Sequence, residues 1–146
     1  MYPDERVARF INEHFVPVKI DIKEHPEIFS RFGAQWTPTL ILLDPEGKER
    51  YRFEGYLPAE DFLAQLEFGL AKTAFAREQL DEAERLFRDV AQKYPKSDVA
   101  PESLYWAAVS KYKASHDPAP LKQVAQDLKQ QYPESSWAKK SSVWAA

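Results

Sequence analysis

The strongest constraint in this chain is an internal echo: "QKYPKSDVA" at 92–100 returns as "QQYPESSWA" at 130–138, displaced by 38 residues. The same displacement carries Ala83, Leu86, Phe87, Val90 and Tyr94 onto Leu121, Val124, Ala125, Leu128 and Tyr132. Both sets fall at i, i+3, i+4, i+7 and i+11, which is one apolar stripe of a helix. Leu66 maps onto Leu104, and Phe68, Trp106 and Trp144 share one position. A period of this size means stacked units, because one helical hairpin cannot cover its own apolar face whereas a neighbouring hairpin can. Five helices are expected, over roughly 58–78, 81–94, 99–115, 118–132 and 136–146. Asp81 with Glu84 would form a capping box for the second, and Ser97 or Asp98 would start the third ahead of Pro101 in its first turn.

With "YP-x-S" between units, and Leu70, Ala71, Ala83, Phe87 and Pro95 at the small, apolar and terminating positions, this half resembles the tetratricopeptide repeat family. The second unit keeps Tyr112 and Pro133 but has Ala125 where a large aromatic is usual, and its connecting loop "ASHDPAP" is longer. About two and a half units are present, and a capping helix or further repeats are expected beyond Trp144. An apolar flank left open there would seek a partner.

The first half has another rhythm. "PDERVARFINEHF" reads as a short amphipathic helix, capped by Asp4 and striped by Val7, Phe10 and Ile11. "FVPVKIDI" alternates, with Val16, Val18, Ile20 and Ile22 on one side, and Pro17 marks the expected strand as an edge. A short helix is expected between His25 and Phe32, ended by Gly33. "TLILLD" is apolar from Leu40 to Leu43 without alternation, as in a central strand covered on both faces. "DPEG", Asp44 to Gly47, is a tight-turn signature that returns the chain through Tyr51 and Phe53 as an antiparallel hairpin.

The order helix, strand, helix, Thr-Pro, strand, turn, strand, helix, with "NEHFVPVKID", "WTPTLILLDPEGK" and "FEGYLP", resembles the thioredoxin fold and its bacterial thioredoxin-like branch over roughly residues 1–70. The expected architecture is an incomplete α/β thioredoxin-like segment (1–69) with three strands, followed by all-α tetratricopeptide-like hairpins (70–146), the two sharing the helix at about 58–78. The resemblance implies a cis Thr37–Pro38 bond and a peptide-binding turn formed by Trp36, Thr37 and Pro38.

One departure outweighs these agreements. In such proteins a buried strand and a Cys-X-X-Cys helix precede the stretch that begins here at Tyr2, and that strand sits between the two apolar ones. Without it both neighbours would face inward with unpaired backbone groups, each costing about 1–3 kcal/mol when buried. Three remedies are open: the strands pair with each other, another copy shares a strand edge in a homo-oligomer, or the chain is the C-terminal portion of a longer thiol-disulfide oxidoreductase. The last is the expected origin.

Chemistry of other kinds finds no footing. The 146 residues contain no cysteine, so disulfides, thiolate metal sites and thiol nucleophiles are excluded. His14, His25 and His116 lack the spacing of metal ligands. Ser97, Ser103, Ser135 and Ser136 stand at helix starts, where capping accounts for them, without a G-x-S-x-G elbow. Four scattered glycines cannot cradle a phosphate. Glu60 with Asp61 and Asp81 with Glu82 open helices, where the macrodipole favours acid. No cofactor and no metal are expected. A net charge of −3 argues against nucleic acid, and no apolar run is long enough to cross a bilayer. As written the chain is expected in the cytoplasm, or in the periplasm if it is part of a longer protein. Protein or peptide partners remain, with Tyr105, Trp106 and Tyr112 as candidate groove aromatics, although equivalent positions in stacked repeats more often build the core between units.

Overall fold

A computed structural model of the chain describes residues 4–145; Pro3, at the head of the expected first helix, and Ala146, the expected end of the last, lie outside them. Asp4 caps α1 (Glu5–His14), its carboxylate accepting the Arg6 backbone N–H at 2.8 Å and the Arg6 guanidinium at 3.1 Å. Val7 is fully buried, and with Phe10 and Ile11 it joins the core beneath the long helix described below. A one-and-a-half-turn helix α2 (Pro26–Arg31) follows, closed by Gly33 at φ +64°.

The hairpin forms where turn chemistry and apolar pattern agree. β1 (Thr39–Leu43) pairs antiparallel with β2 (Glu49–Glu54), with a register irregularity between Leu42 and Leu43. Asp44 organises the turn: one carboxylate oxygen accepts the N–H groups of Glu46 and Lys48 at 3.0 and 2.9 Å, and the other accepts Arg50 Nε at 2.8 Å. Gly47 supplies the positive φ, +83°, that the turn requires. Leu40, Leu42, Tyr51 and Phe53 turn one face toward α3 (Ala59–Ala76), packing on Phe62, Leu63 and Leu66. The approach is so close that a Cβ on Gly69 would stand 2.3 Å from Leu42 Cδ2. On the opposite face the Arg52 guanidinium reaches Phe32 O at 2.7 Å.

Two expectations for this half are corrected. The stretch 15–22 forms no strand, and Val16 and Val18 are 91% and 77% exposed. Nor is β1 central: the sheet among the described residues has two strands, and Leu43 is 45% exposed. The cause is the same in both cases. A strand is stabilised by lateral hydrogen bonds and cross-strand contacts, so alternation alone does not hold one without a neighbour. β1 has found one neighbour in β2, whereas 15–22 has none.

Downstream, α3 packs on α4 (Leu80–Lys93), α4 on α5 (Ala100–Ser115), α5 on α6 (Ala119–Gln131) and α6 on α7 (Ser136–Ser141), which ends in a 3₁₀ turn, Ser142–Trp144. Ala64, Phe68, Ala71 and Ala74 of α3 meet Ala83, Phe87 and Val90 of α4 in one core; Ala108, Val124, Leu128 and Ala138 form the next. Both "YP-x-S" turns fold alike, the serine N–H donating to the tyrosine carbonyl at 3.0 Å in Ser97→Tyr94 and in Ser135→Tyr132. The Tyr132 hydroxyl then donates to Pro95 O at 2.6 Å, tying one unit's terminator to the other's. Two helix starts differ from expectation. Ser135 caps α7 at Ala138 N, but the box of Asp81 and Glu84 does not form, because α4 starts one residue earlier and Glu84 instead accepts from Arg88 Nε at 2.9 Å. Nor does Ser97 or Asp98 cap α5: Val99 precedes it, and the Ser97 hydroxyl donates to Tyr94 O. The result is a partial α/β layer followed by helical hairpins.

Candidate functional site

Two places in the fold gather the residues singled out by sequence. At the first, Thr37–Pro38 is a cis peptide bond between α2 and β1. The turn is held from inside: the Thr39 hydroxyl donates to Trp36 O at 2.6 Å, and the Gly55 N–H donates to Pro38 O at 2.9 Å. These bonds fix the backbone while the Trp36 ring stays 65% exposed and Thr37 faces solvent. Among the described residues no cluster of three or more His, Asp or Glu could hold a metal ion. The turn thus presents an exposed indole on a fixed backbone, and none of its three residues carries an ionisable side chain.

The second place lies across α3, α5 and α7. Tyr105 and Trp106 come together, ring centroids 5.3 Å apart. Tyr105 also stacks on Trp144 at 4.9 Å and meets Trp137 at 4.9 Å, so it belongs to the packing between units. Trp106 lies between Phe75 at 5.3 Å and Trp137 at 6.1 Å, and its indole N–H donates to Glu102 at 3.0 Å. Tyr112 does not join them. It stands near the C-terminal end of α5, 37% exposed, where the last turn closes through His116 N–H to Tyr112 O.

Sequence reasoning missed Phe75 and Trp137, and with them three lysines. Lys113 Nζ sits 4.8 Å from the Phe75 ring centre, Lys72 Nζ 4.7 Å from that of Trp106, and Lys140 Nζ 4.0 Å from that of Trp137. A signal was present: Phe75, Trp106 and Trp137 are spaced by 31 residues, which is one 38-residue unit less seven. Seven residues are about two helical turns, so this row crosses the helices diagonally and escapes a search confined to the repeat's own offset.

A third concavity, between α1, α3 and α4, contains the buried carboxylate Glu67. Lys93 Nζ meets it at 3.0 Å, and burial together with a hydrogen bond to Glu67 pushes the Tyr94 phenol well above its ordinary range. Every charge on this carboxylate is answered within the fold, which makes it a structural lock between α3 and α4. Tyr51 is raised likewise, first by burial and then by the charge of Glu102, and its hydroxyl donates to Gln65. Among the described residues no helix is long and apolar enough to cross a membrane.

Comparison with known proteins gives two family matches. A thioredoxin-like domain matches residues 1–70, and a tetratricopeptide repeat matches residues 65–97. Chloroplastic thioredoxin Y of Oryza sativa subsp. japonica is 33% identical over 66 residues, 45% of this chain and 39% of that protein. The SPbeta prophage-derived thioredoxin-like protein YosR of Bacillus subtilis (strain 168) is 30% identical over 59 residues, 40% of this chain and 74% of that protein. The chain thus spans about two fifths of the rice protein's length and about three quarters of the bacterial one's. No solved structure matches it.

Proposed function

Because the chain belongs to the thioredoxin-like family and continues into a tetratricopeptide repeat, we propose that it is a non-catalytic protein-interaction module. The observation that carries this reading is chemical: thiol-disulfide exchange begins with a thiolate, and these 146 residues hold no cysteine. What the fold retains are contact surfaces. Tetratricopeptide repeats generally mediate protein–protein interaction, and on this reading the aromatic face of α3, α5 and α7 serves such contact. On this reading Trp36, Thr37 and Pro38 form an accessory recognition turn, while Tyr105 and Trp106 support the repeat face and Tyr112 stands at its margin. We divide the chain at 1–69 and 70–146 with α3 common to both; the two family matches overlap at 65–70, inside that helix, which supports the division. In an insulin-disulfide reduction assay the purified chain gives no rate above buffer. Measurable turnover would remove the proposal.

A second reading is favoured by the open side of β1, which among the described residues pairs with β2 alone. In it the chain is the C-terminal part of a thiol-disulfide oxidoreductase, and the strand that covers β1 comes from a segment upstream of Met1 that also carries Cys-X-X-Cys. In-frame translation of the genomic DNA upstream of Met1 decides it: no strand-like stretch followed by that motif, no oxidoreductase. The same edge could instead be shared between two copies of the chain, and light scattering at the mass of a monomer would dismiss that form.

A further inference from the structure

Phe75, Trp106 and Trp137 form one continuous row over α3, α5 and α7, and each ring carries an ammonium group within 4.8 Å of its centre. A lysine held on a ring gains cation–π attraction and loses part of its hydration, which strengthens its attraction for a carboxylate brought to the same surface. The fold supplies few carboxylates in return. Glu78 meets Lys113 at 3.4 Å, and Glu102 is engaged by the Trp106 indole N–H. Among the described residues Lys72 and Lys140 have no carboxylate partner within ion-pair distance. The imbalance is regional: residues 100–145 contain six lysines against four carboxylates, in a chain whose net charge is −3.

We propose that this face binds an extended acidic segment of a partner protein, its carboxylates meeting Lys72 and Lys140 while the apolar side chains between them rest on Trp106 and Trp137. The inference rests on the interaction-module reading and adds to it the chemistry of the partner. Spacing supports an extended ligand, since the ring separations of 5.3 and 6.1 Å are close to the ~6.6 Å between alternate residues of a strand. Lysine on aromatic rings would also suit single-stranded nucleic acid. A phosphate backbone, however, is bound by tracks of many cations, and this surface has two unpaired ones on a net-negative chain.

The test uses the full chain, with a fluorescein-labelled decapeptide carrying glutamate, leucine, leucine and glutamate at alternate positions of a serine background, so that all four face one side when extended, its glutamine-for-glutamate counterpart, and oligothymidylate. Anisotropy gives affinity, and tryptophan emission, recorded in a Trp36→Phe background, reports on the aromatic cluster of Trp106, Trp137 and Trp144. The glutamate peptide is expected to bind about ten-fold tighter than its amide counterpart, with the difference shrinking as salt is raised from 50 to 300 mM. Lys72→Gln with Lys140→Gln removes that ten-fold preference, whereas Lys72→Arg with Lys140→Arg keeps it; far-UV melting curves confirm that both variants fold. Equal binding of the two peptides, or a preference unchanged in the glutamine variant, overturns the acidic inference and leaves the interaction module standing. Oligothymidylate bound as tightly as the glutamate peptide, or no binding by either peptide, overturns the inference as well. Only turnover in the insulin assay removes the module reading beneath it.

Discussion

The sheet part and the helical part of this molecule are built from similarly apolar sequence, yet they bury it to very different degrees. Of the core side chains among the described residues, only Val7 and Leu42 come from residues 4–58; the rest lie in α3 and the helical part after it. A helix satisfies its own backbone and asks its neighbours only for packing, so each hairpin can be completed by the next one along the chain. A strand satisfies its backbone sideways, through residues distant in sequence. The helical part is therefore finished wherever two hairpins meet, while the sheet, with one edge of β1 open, is finished only on the side that faces α3.

If this contrast holds, damage to the repeats is felt more strongly than damage to the sheet. Phe87→Ala, at a fully buried ring lying between Phe68 at 5.6 Å and Phe75 at 6.5 Å, should lower unfolding free energy by about 3–5 kcal/mol in a urea titration. Leu42→Ala, truncating the sheet's own buried residue, should cost about 2 kcal/mol by the same measurement, because the open flank lets the site collapse. An equal cost at both positions would break the contrast. The joint between the parts can be sharpened by a double-mutant cycle. Gly69→Ala alone should destabilise by about 1–2 kcal/mol through its clash with Leu42. In the Leu42→Ala background the same change should turn neutral or favourable, since alanine exceeds glycine by about 1 kcal/mol in a helix interior. Lys93→Met should cost about 1 kcal/mol by leaving the Glu67 carboxylate with Tyr94 alone.

The smallest effect is one of acid. The backbone N–H of Lys48, assisted by the Arg50 guanidinium, holds Asp44 below its ordinary pKa. A folded pKa below the unfolded one means that the contribution of Asp44 is present above about pH 4 and lost as pH falls further. Asp44→Asn should therefore flatten the acid limb of a plot of melting temperature against pH by slightly lowering the neutral plateau, with almost no change at the acid end. Hydrogen exchange offers a view of the whole contrast at once: amides of α4 and α5 should exchange more slowly than those on the open side of β1.

What could be read from the residues follows the same division. The helices were legible because period 3.6, the "YP-x-S" turns and the 38-residue echo are local signals that agree with one another. The hairpin was legible because Asp44 and Gly47 place a specific turn between two apolar runs. The alternation of Val16, Val18, Ile20 and Ile22 predicts a strand that does not form, since a strand's partner is not written in the strand itself. Helix starts shifted by a residue or so, enough to undo the capping box at Asp81. Of the candidate contact residues, Tyr105 and Trp106, neighbours in the sequence, stand together, whereas Tyr112 stands apart. The diagonal row through Phe75 and Trp137 depends on how successive helices are staggered, a quantity that the repeat offset alone does not contain.

α3 gives Phe62, Leu63 and Leu66 to one core and Ala64, Phe68, Ala71 and Ala74 to the other. The halves are consequently not interchangeable cassettes. Any splice that grafts these repeats onto another carrier must bring along a surface that fits the sheet side of α3, or leave a greasy seam in water. New combinations would be inherited with α3 intact, and the natural place to cut is ahead of it, in the loop after Glu54.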